Sequence, residues 1–313
     1  MYTVPDQSGR LIVITGANSG TGKEAARRIA AAGGEVIMAV RTLEKGETAR
    51  AEILRQIPDA RLDVRRIDLA DLTSVREFAD RLTAEGRPVD VLVNNAGVMA
   101  PPTRFETVDG FELQFGSNFL GPLALTNRLL PLLLRSERPR VTWMSSVAAV
   151  PGRIHFDDLQ FTRSYSPWRA YAQSKLADLL AGLHLGAVSD ERGWGLTSTI
   201  AHPGFTRTNL QSAGANLGRD KPRRSLFAGK NPFIPSQGVE QGAEPLLFAA
   251  TYPYAPQGSY YGPNGFGGMT GPTTKVAVPR AARGADLGAS LWTVAEALTS
   301  TTLPAAAGAE TTD

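Results

Sequence analysis

The sequence predicts a single α/β domain in which a doubly wound parallel sheet of about seven strands is flanked by helices. Short runs rich in Val and Ile alternate with segments of helical length rich in Ala, Leu, Glu and Arg, an order typical of βαβ units. The chain has 313 residues, which suits one such domain and leaves little room for two. Hydrophobic residues make up 42% of it, so a large buried core is possible.

The first half of the chain contains four strand–helix units. Leu11–Thr15 is an apolar strand, followed by a glycine-rich turn and a helix from Lys23 to about Ala32, which Gly33 and Gly34 close. The next units are assigned in the same way, from an apolar run and then a segment of helical pattern. They are strands Val36–Val40, Val64–Leu69 and Val89–Val93, and helices Leu43–Gln56, Leu72–Ala84 and Gly110–Leu134.

The second half continues the alternation. Val141–Ser145 is the fifth strand, and Ser166 with Pro167 provides a cap and a first position for a helix over Trp168–Val188. The remaining predicted elements are strand Thr197–Ala201, a helix near Gly238–Ala250 and a last strand at Ser259–Gly262.

The domain is predicted to cover residues 1–303. Two stretches, at about 205–237 and 262–283, interrupt the alternation and are rich in Gly, Pro, Asn and basic residues. We expect them to be surface loops that cover a substrate. The small and polar residues 304–313 are expected to form a disordered tail.

Composition excludes several classes of site. The chain has no cysteine, which rules out disulfides, thiolate catalysis and Cys-based zinc sites. His155, His184 and His202 share no metal-binding spacing, so we expect no metal site and interpret all three as structural. The formal net charge is only +3 and the basic residues are scattered, so no nucleic-acid partner is expected.

No membrane-spanning segment is expected either. The N-terminus Met1–Asp6 lacks the basic and then apolar pattern of a signal peptide. The longest apolar stretch, Leu123–Leu134, is interrupted by Asn127, Arg128 and Pro131 and falls short of the ~20 residues that a span needs. We expect an intracellular, cytoplasmic protein.

The glycine-rich turn between the first strand and the first helix predicts nucleotide binding. Glycines permit the tight turn and let the backbone approach a pyrophosphate, whose charge the helix N-terminus stabilises. The spacing differs from G-x-G-x-x-G, but the strand–turn–helix context is the one that such a motif requires. The candidate cofactor-binding residues of this turn are Gly16, Asn18, Ser19, Gly20, Thr21 and Gly22.

Four further motifs follow in order along the chain. They are Asn94-Asn95-Ala96-Gly97 after the fourth strand, Ser145-Ser146 after the fifth, Tyr171-x-x-x-Lys175 in the next helix, and His202-Pro203-Gly204 after the sixth strand. With the glycine turn, they resemble the short-chain dehydrogenase/reductase family over roughly residues 11–208. The resemblance implies a Rossmann-type fold and an enzyme that moves a hydride between a nicotinamide and a carbonyl or alcohol group.

Three segments point to one branch of that family. Residues 41–46, 155–160 and 171–177 are similar to the retinol-dehydrogenase-like branch, which also includes WW-domain oxidoreductase and light-dependent protochlorophyllide reductase. The C-terminal Leu291-Trp292 resembles bacterial members of the branch. The sequence contains no WW domain.

Arg41 favours NADP(H) over NAD(H). It follows the second strand, where an acidic residue would bind the adenosine ribose and repel a 2′-phosphate, whereas a guanidinium suits a phosphate. The resemblance adds adenine-side contacts from Asp68 and Leu69. It assigns further cofactor contacts to Asn95, Ala96, Gly97, Tyr171, Lys175, Pro203, Gly204, Thr206 and Thr208.

Tyr171 and Lys175 are four residues apart and therefore share one face of a helix. A phenol, with a reference pKa of about 10, is a poor base at neutral pH, but a neighbouring ammonium stabilises the phenolate. Tyr171 is thus the candidate general acid/base, and Lys175 is also expected to bind the nicotinamide ribose. The resemblance assigns polarisation of the substrate oxygen to Ser146, with Ser145 in reserve. It assigns a water-linked proton relay to Asn118.

Three functions stay open at this point. The first is NADP(H)-dependent interconversion of alcohols and carbonyls, and the second is NADPH-dependent reduction of a C=C bond with the same tyrosine and lysine. The third, a catalytically silent NADP(H)-binding regulatory protein, is disfavoured because all four candidate catalytic residues are present. Apolar residues in the two loops indicate a partly apolar small-molecule substrate. A homodimer or homotetramer formed through the long helices at 110–134 and 168–188, or a monomer, fits the sequence.

Overall fold

Eight strands pair into one sheet in the part of the chain that the structure describes. The computed structural model describes residues 1–208, 210, 214, 216–218 and 235–304. The strands are β1 Leu11–Thr15, β2 Glu35–Val40, β3 Arg61–Arg66, β4 Val91–Asn94, β5 Arg140–Met144, β6 Thr197–Ala201, β7 Tyr260–Pro263 and β8 Thr273–Lys275. They lie in the order β3-β2-β1-β4-β5-β6-β7-β8, in which all neighbours are parallel except the antiparallel pair β7–β8.

Helices cover both faces of the sheet. Ile12 and Ile14 of β1 belong to one buried cluster and Val13 to the other, as expected when successive strand side chains point to opposite faces. Both faces of this central strand are therefore buried, which explains its continuous apolar sequence. The helices whose bounds lie within the described segments are α1 Gly20–Ala31, α2 Leu43–Leu54, α3 Leu72–Glu85, α4 Leu113–Phe115, α5 Gly121–Leu133, α6 Pro167–Arg192, α7 Val239–Gly242, α8 Glu244–Thr251 and α9 Ala285–Thr299.

The strand order reverses between β1 and β4. β1 pairs with β2 on one side and with β4 on the other, so the chain winds outward in both directions from this point. In open α/β sheets a crevice forms beyond the carboxyl ends of the strands at such a switch point, and ligands bind there. The predicted fold class is confirmed, with one strand more than the seven expected.

β3 is the strand whose predicted position was wrong. The prediction gave Val64–Leu69, whereas the strand spans Arg61–Arg66 and pairs in register with β2. β3 lies at the edge of the sheet, where Arg61 and Asp63 are exposed and Leu62 is buried. An edge strand with one solvated face alternates charged and apolar residues, and a search for continuous apolar runs misplaces it.

The predicted helix Gly110–Leu134 is shorter and interrupted. Gly110 has a φ of +82° and belongs to a turn, and α4 begins at Leu113. The turn Gly116–Leu120 is π-helical and joins α4 to α5. Such π-helical turns are rare and occur frequently at functional sites.

The C-terminal part contains elements that the sequence reading missed. The predicted helix Gly238–Ala250 is two helices, because Pro245 has no amide hydrogen to continue the first one, and the second begins at Glu244. The predicted loop 262–283 contains β8, and α9 follows it. Trp292 of α9 packs against Trp143 of β5, with ring centroids 6.4 Å apart. The pattern of α9 was not recognised because it contains few charged residues.

Parts of two predictions lie outside the described residues. They are most of the loop predicted at 205–237 and residues 305–313 of the predicted tail. Across the segments that the structure covers, we find no helix with the length and apolar character needed to cross a bilayer.

Candidate active site

A cleft of about 540 Å³ opens at the carboxyl ends of the parallel strands. Segments that directly follow β1 to β6 line it, together with the start of α6. Most of the residues predicted to bind cofactor or to act in catalysis line this cleft. They are Gly16, Asn18, Ser19, Gly20, Thr21, Arg41, Asp68, Leu69, Asn95, Ala96, Gly97, Ser145, Ser146, Tyr171, Lys175, Pro203, Gly204, Thr206 and Thr208.

The glycine turn is fixed to the end of β4 by hydrogen bonds. Thr15 Oγ1 accepts from the amides of Asn95 and Ala96, each at 3.0 Å, and Asn95 Nδ2 donates to the Thr15 carbonyl at 2.9 Å. A Cβ on Gly16, whose φ is +69°, would lie only 3.0 Å from Ala96 Cα. Glycine is therefore required here both by conformation and by space.

The first turn of α1 presents backbone amides without a side-chain cap. Ser19 is the N-cap residue, has extended backbone and makes no capping hydrogen bond. Gly20 has a φ of +55°, which turns the chain sharply into the helix. Because the cap is open, the amides at this N-terminus are available to an anion in the cleft, as the predicted pyrophosphate site requires.

Gly22 lies outside the lining of the cleft and packs behind the turn. A Cβ at this position would lie 2.4 Å from Asn95 Nδ2 and 2.5 Å from the Gly16 carbonyl oxygen. Gly22 therefore permits close approach of α1 to β1 and β4, and its predicted role in cofactor binding is at most indirect.

We expect Gly22→Ala to weaken NADPH binding by about ten-fold or more, because overpacking of about 1–3 kcal/mol displaces the turn. The measurement is a fluorescence titration with NADPH, accompanied by thermal unfolding. Gly284→Ala before α9 is the control, since its φ is −131° and its Cβ would meet only Leu287 Cβ, at an ordinary contact distance of 3.7 Å. Equal affinity in G22A and wild type would contradict this account of the turn.

Arg41 and Asp68 lie on the adenosine side of the predicted site. Arg41 directly follows β2, is exposed, and forms no salt bridge with a carboxylate in the described segments. The Asp68 carboxylate accepts a hydrogen bond from the amide of Ala70 at 3.0 Å, and the backbone amide of Asp68 donates to Ser74 Oγ at 2.9 Å. These bonds hold the turn after β3 and leave the guanidinium of Arg41 available.

Tyr171 and Lys175 lie on successive turns of α6, both buried and both facing the cleft. Lys175 Nζ donates to the Met144 carbonyl at the end of β5 and to Asp178 Oδ2, each at 2.9 Å. Burial alone would lower the pKa of Lys175, but Asp178 and Tyr171 outweigh it and raise that pKa. Lys175 is therefore an ammonium at neutral pH.

The two serines after β5 have different partners. Ser145 Oγ donates to the Lys175 carbonyl at 2.6 Å, so it joins β5 to α6. Ser146 Oγ accepts from the Ala148 amide at 3.2 Å, which leaves its hydroxyl hydrogen free to donate. This arrangement favours Ser146 over Ser145 as the group that polarises a substrate oxygen.

Asn118 lies in the π-helical turn, behind the cleft rather than in its lining. Its Oδ1 accepts from the Val98 amide at 2.7 Å, and its Nδ2 donates to the Val98 carbonyl at 3.0 Å and to Ser174 Oγ at 2.9 Å. The Asn118 side chain thus joins the segment after β4 to α6. The side chain positions the site, and the predicted proton relay stays a prediction.

His202 supports the segment after β6. Its Nδ1 accepts from the Gly204 amide at 3.3 Å, and its ring packs on Tyr260 with centroids 5.1 Å apart. Burial lowers the pKa of His202 to about 4, so the ring is neutral and accepts this bond. The residues that the structure describes include no group of three or more His, Cys, Asp or Glu side chains arranged to hold a metal ion.

The structure adds residues that the sequence reading missed. Trp168, in the first turn of α6, lines the cleft next to Tyr171, with ring centroids 6.2 Å apart. Its position three residues before Tyr171, on the same face of the helix, was a usable signal. The other added residues are largely apolar and include Val98, Met99, Pro101, Leu113, Val147 and Ala148. Phe205, Leu210 and Leu217 also line the cleft, and they lie in the loop that the sequence predicts to cover a substrate.

Comparison with known proteins gives a consistent answer. The model of the family described as short chain dehydrogenase matches residues 10–216. Retinol dehydrogenase 13 of Homo sapiens is 44% identical over 209 residues, which cover 66% of this chain and 61% of that protein. Polyprenol dehydrogenase of Mus musculus is 40% identical over 255 residues, which cover 80% of this chain and 74% of that protein.

A solved structure is similar over nearly the whole length. The crystal structure of an uncharacterised protein from Mycobacterium Paratuberculosis has a TM-score of 0.78 and 41% identity, covering 96% of this chain and 97% of its own. By contrast, the chain spans less than two thirds of human retinol dehydrogenase 13, with 61% covered. The family resemblance read from the ordered motifs is confirmed: this chain belongs to the short-chain dehydrogenase/reductase family of oxidoreductases.

Proposed function

We propose that this protein is an NADP(H)-dependent oxidoreductase that interconverts an alcohol with its aldehyde or ketone. The observation that carries the proposal is a single cleft that contains both the glycine turn and the side chains of Ser146, Tyr171 and Lys175. Enzymes of this family use nicotinamide cofactors, which supports the reaction class.

The cleft fits a dinucleotide at its phosphate end. The open cap at Ser19 offers backbone amides, and Gly16 lets the turn that precedes them pack closely against Ala96. Thr206 and Thr208 also line the cleft and are candidates for further contacts with phosphate or carboxamide. When bound, the nicotinamide ring supplies the hydride donor or acceptor.

Three side chains act on the substrate oxygen. Ser146 donates a hydrogen bond that polarises it. Tyr171 gives its phenolic proton to the carbonyl oxygen in reduction and takes the hydroxyl proton in oxidation. Lys175, charged and buried, stabilises the phenolate that remains, and exclusion of water strengthens this attraction. Asn118 holds the loop and helix that carry these groups.

Arg41 supports NADP(H) as the preferred cofactor. Its guanidinium follows β2 at the cleft and is not engaged by a carboxylate in the described segments. A 2′-phosphate would give it a charge-assisted, bidentate partner, and no acidic residue follows the strand directly to repel that phosphate.

The substrate side of the cleft favours an apolar molecule. Met99, Leu113, Val147 and Trp168 are part of its lining. Trp168 is 47% exposed, so a large aromatic surface remains for a ligand to cover. Two relatives are named as dehydrogenases of retinol and of polyprenol, which are apolar alcohols. We extend that substrate class to this chain.

Reduction of retinal with NADPH tests the proposal, because this conjugated aldehyde contains a C=O and C=C bonds in one molecule. We expect loss of nicotinamide absorbance and formation of the carbinol. A product with an intact aldehyde and a saturated bond would instead establish C=C reduction. No turnover by a folded, NADPH-binding sample across a panel of apolar aldehydes and ketones would favour the regulatory alternative.

A further inference from the structure

Asp178 forms a buried ion pair in the candidate active site, and none of the catalytic steps above uses it. Its Oδ2 lies 2.9 Å from Lys175 Nζ, and the two residues are one helical turn apart on α6. Each side chain is 4% exposed. The same Nζ donates to the Met144 carbonyl at 2.9 Å, so two of its three hydrogens are directed by the protein.

The other groups around the pair provide little charge. Tyr171, one turn earlier on α6, is the other group whose charge acts on Lys175. β5 contributes only a backbone carbonyl, and the π-helical turn contributes the neutral Asn118. Lys175 is the one charged group that acts on Asp178 within the described residues. In that part of the chain, the ammonium thus has a single carboxylate facing it.

Burial opposes a charge on either partner. Burial alone would lower the pKa of Lys175, and the raised pKa of this group depends on Asp178 and, to a smaller extent, on Tyr171. Burial also raises the pKa of Asp178 to about 7, against the opposing effect of Lys175. Above about pH 8 Asp178 is ionised and stabilises the ammonium fully.

We propose that Asp178 is a positioning residue that keeps Lys175 protonated and directs its third ammonium hydrogen toward the cleft. This inference rests on the proposed function, in which Lys175 stabilises the Tyr171 phenolate, and on the sequence-based expectation that Lys175 binds the nicotinamide ribose. Lys175 itself lines the cleft, so the ammonium hydrogen that is not bonded to Met144 or Asp178 is available to the ribose and to the phenolate.

Thermal unfolding of Asp178→Asn as a function of pH tests the proposal without cofactor or substrate. Asparagine keeps the size and an oxygen acceptor but removes the charge, so burial is expected to lower the pKa of Lys175 below its value in the unfolded chain. In D178N the protonated Lys175 therefore destabilises the folded state, and this cost begins to fall as the pH rises through the folded pKa of Lys175.

In the wild type, the effect of Lys175 on folding stability has the opposite sign. Its raised Lys175 pKa contributes stability below the unfolded pKa, and that stability is lost as the pH rises through the folded pKa. The difference in Tm between wild type and D178N is therefore expected to shrink between about pH 8 and about pH 10, a window in which Asp178 stays ionised.

Two control variants separate charge from other effects. Asp178→Glu keeps the carboxylate, so its Tm difference from wild type is expected to stay constant across the window. Asp190→Asn makes the same chemical change further along α6, where Asp190 is exposed and bonded to Gln257. It is expected to follow the wild type at every pH.

The affinity for NADPH provides a functional readout over the same window. Loss of affinity at alkaline pH is expected to begin lower in D178N than in wild type, by on the order of one pH unit or more, because Lys175 loses its proton earlier. If the pair had a purely structural role, D178N would lower the Tm equally at every pH. The pH at which NADPH affinity is lost would then be the same as in wild type, and that result overturns the proposal.

Failure to fold is also informative. If D178N is unfolded at about pH 8, the proposal expects folding to be recovered near pH 10, and an unfolded protein at both overturns it. If the wild type binds no NADPH, the proposed function fails. The unfolding comparison would still decide whether Asp178 keeps Lys175 charged.

Discussion

Tyr171→Phe is expected to lower kcat by about 10²–10⁴-fold and to leave the Kd for NADPH nearly unchanged. Phenylalanine keeps the aromatic ring that packs against Trp168 and removes only the hydroxyl that gives or takes the proton. Fold and cofactor cleft should therefore survive while the chemical step fails. The measurement is retinal reduction at saturating NADPH, with the Kd determined separately by fluorescence.

A tyrosine outside the site is the control for this substitution. Tyr252 follows α8 and stacks on Phe248, with centroids 4.5 Å apart, and is absent from the lining of the cleft. Tyr252→Phe removes the same hydroxyl and is expected to leave kcat at the wild-type value. Substantial turnover by Y171F would remove Tyr171 from its assigned role as general acid/base.

Arg41→Asp is expected to weaken NADPH by on the order of 10²-fold and to change NADH far less. The substitution replaces a charge-assisted partner of the 2′-phosphate with a repelling carboxylate. NADH lacks that phosphate, and an aspartate at this position can accept hydrogen bonds from its ribose hydroxyls. The measurement is a pair of titrations, one with each cofactor, on wild type and R41D.

The same charge reversal at a distant site controls for long-range electrostatics. Arg135 lies in the exposed segment between α5 and β5, at the amino-terminal edge of the sheet. Arg135→Asp is expected to leave the NADPH-to-NADH preference intact. If R41D weakened both cofactors equally, the guanidinium would have no specific role toward the 2′-phosphate, and damage to the fold would explain the loss.

The sequence was sufficient for the central strands and for the composition of the cleft. The bounds of β1 and β6 match their predicted ranges, because β1 is a nearly continuous apolar run and β6 is rich in the β-branched residues that favour strands. Residues that follow successive parallel strands meet at one edge of the sheet. Arg41, Asn95 and Ser146 therefore line one cleft although they are far apart in the chain.

Elements that depend on tertiary contacts could not be predicted in this way. β3 carries a solvated face, and the π-helical turn at Asn118 has no hydrophobic period of its own. A carboxylate three residues after a lysine, as at Asp178, usually indicates an exposed pair on a helix surface. Only the packing of α6 against β5 and the π-helical turn shows that this pair is buried.

Parallel titration of the purified protein with NADPH and NADH, followed by nicotinamide fluorescence, tests the central claim most directly. The account predicts saturable binding of both cofactors with clear preference for NADPH, because the glycine turn binds the shared pyrophosphate and Arg41 binds the 2′-phosphate. Preference for NADH would contradict the role of Arg41 and leave the enzyme class in place. A folded sample that binds neither cofactor would contradict the account as a whole.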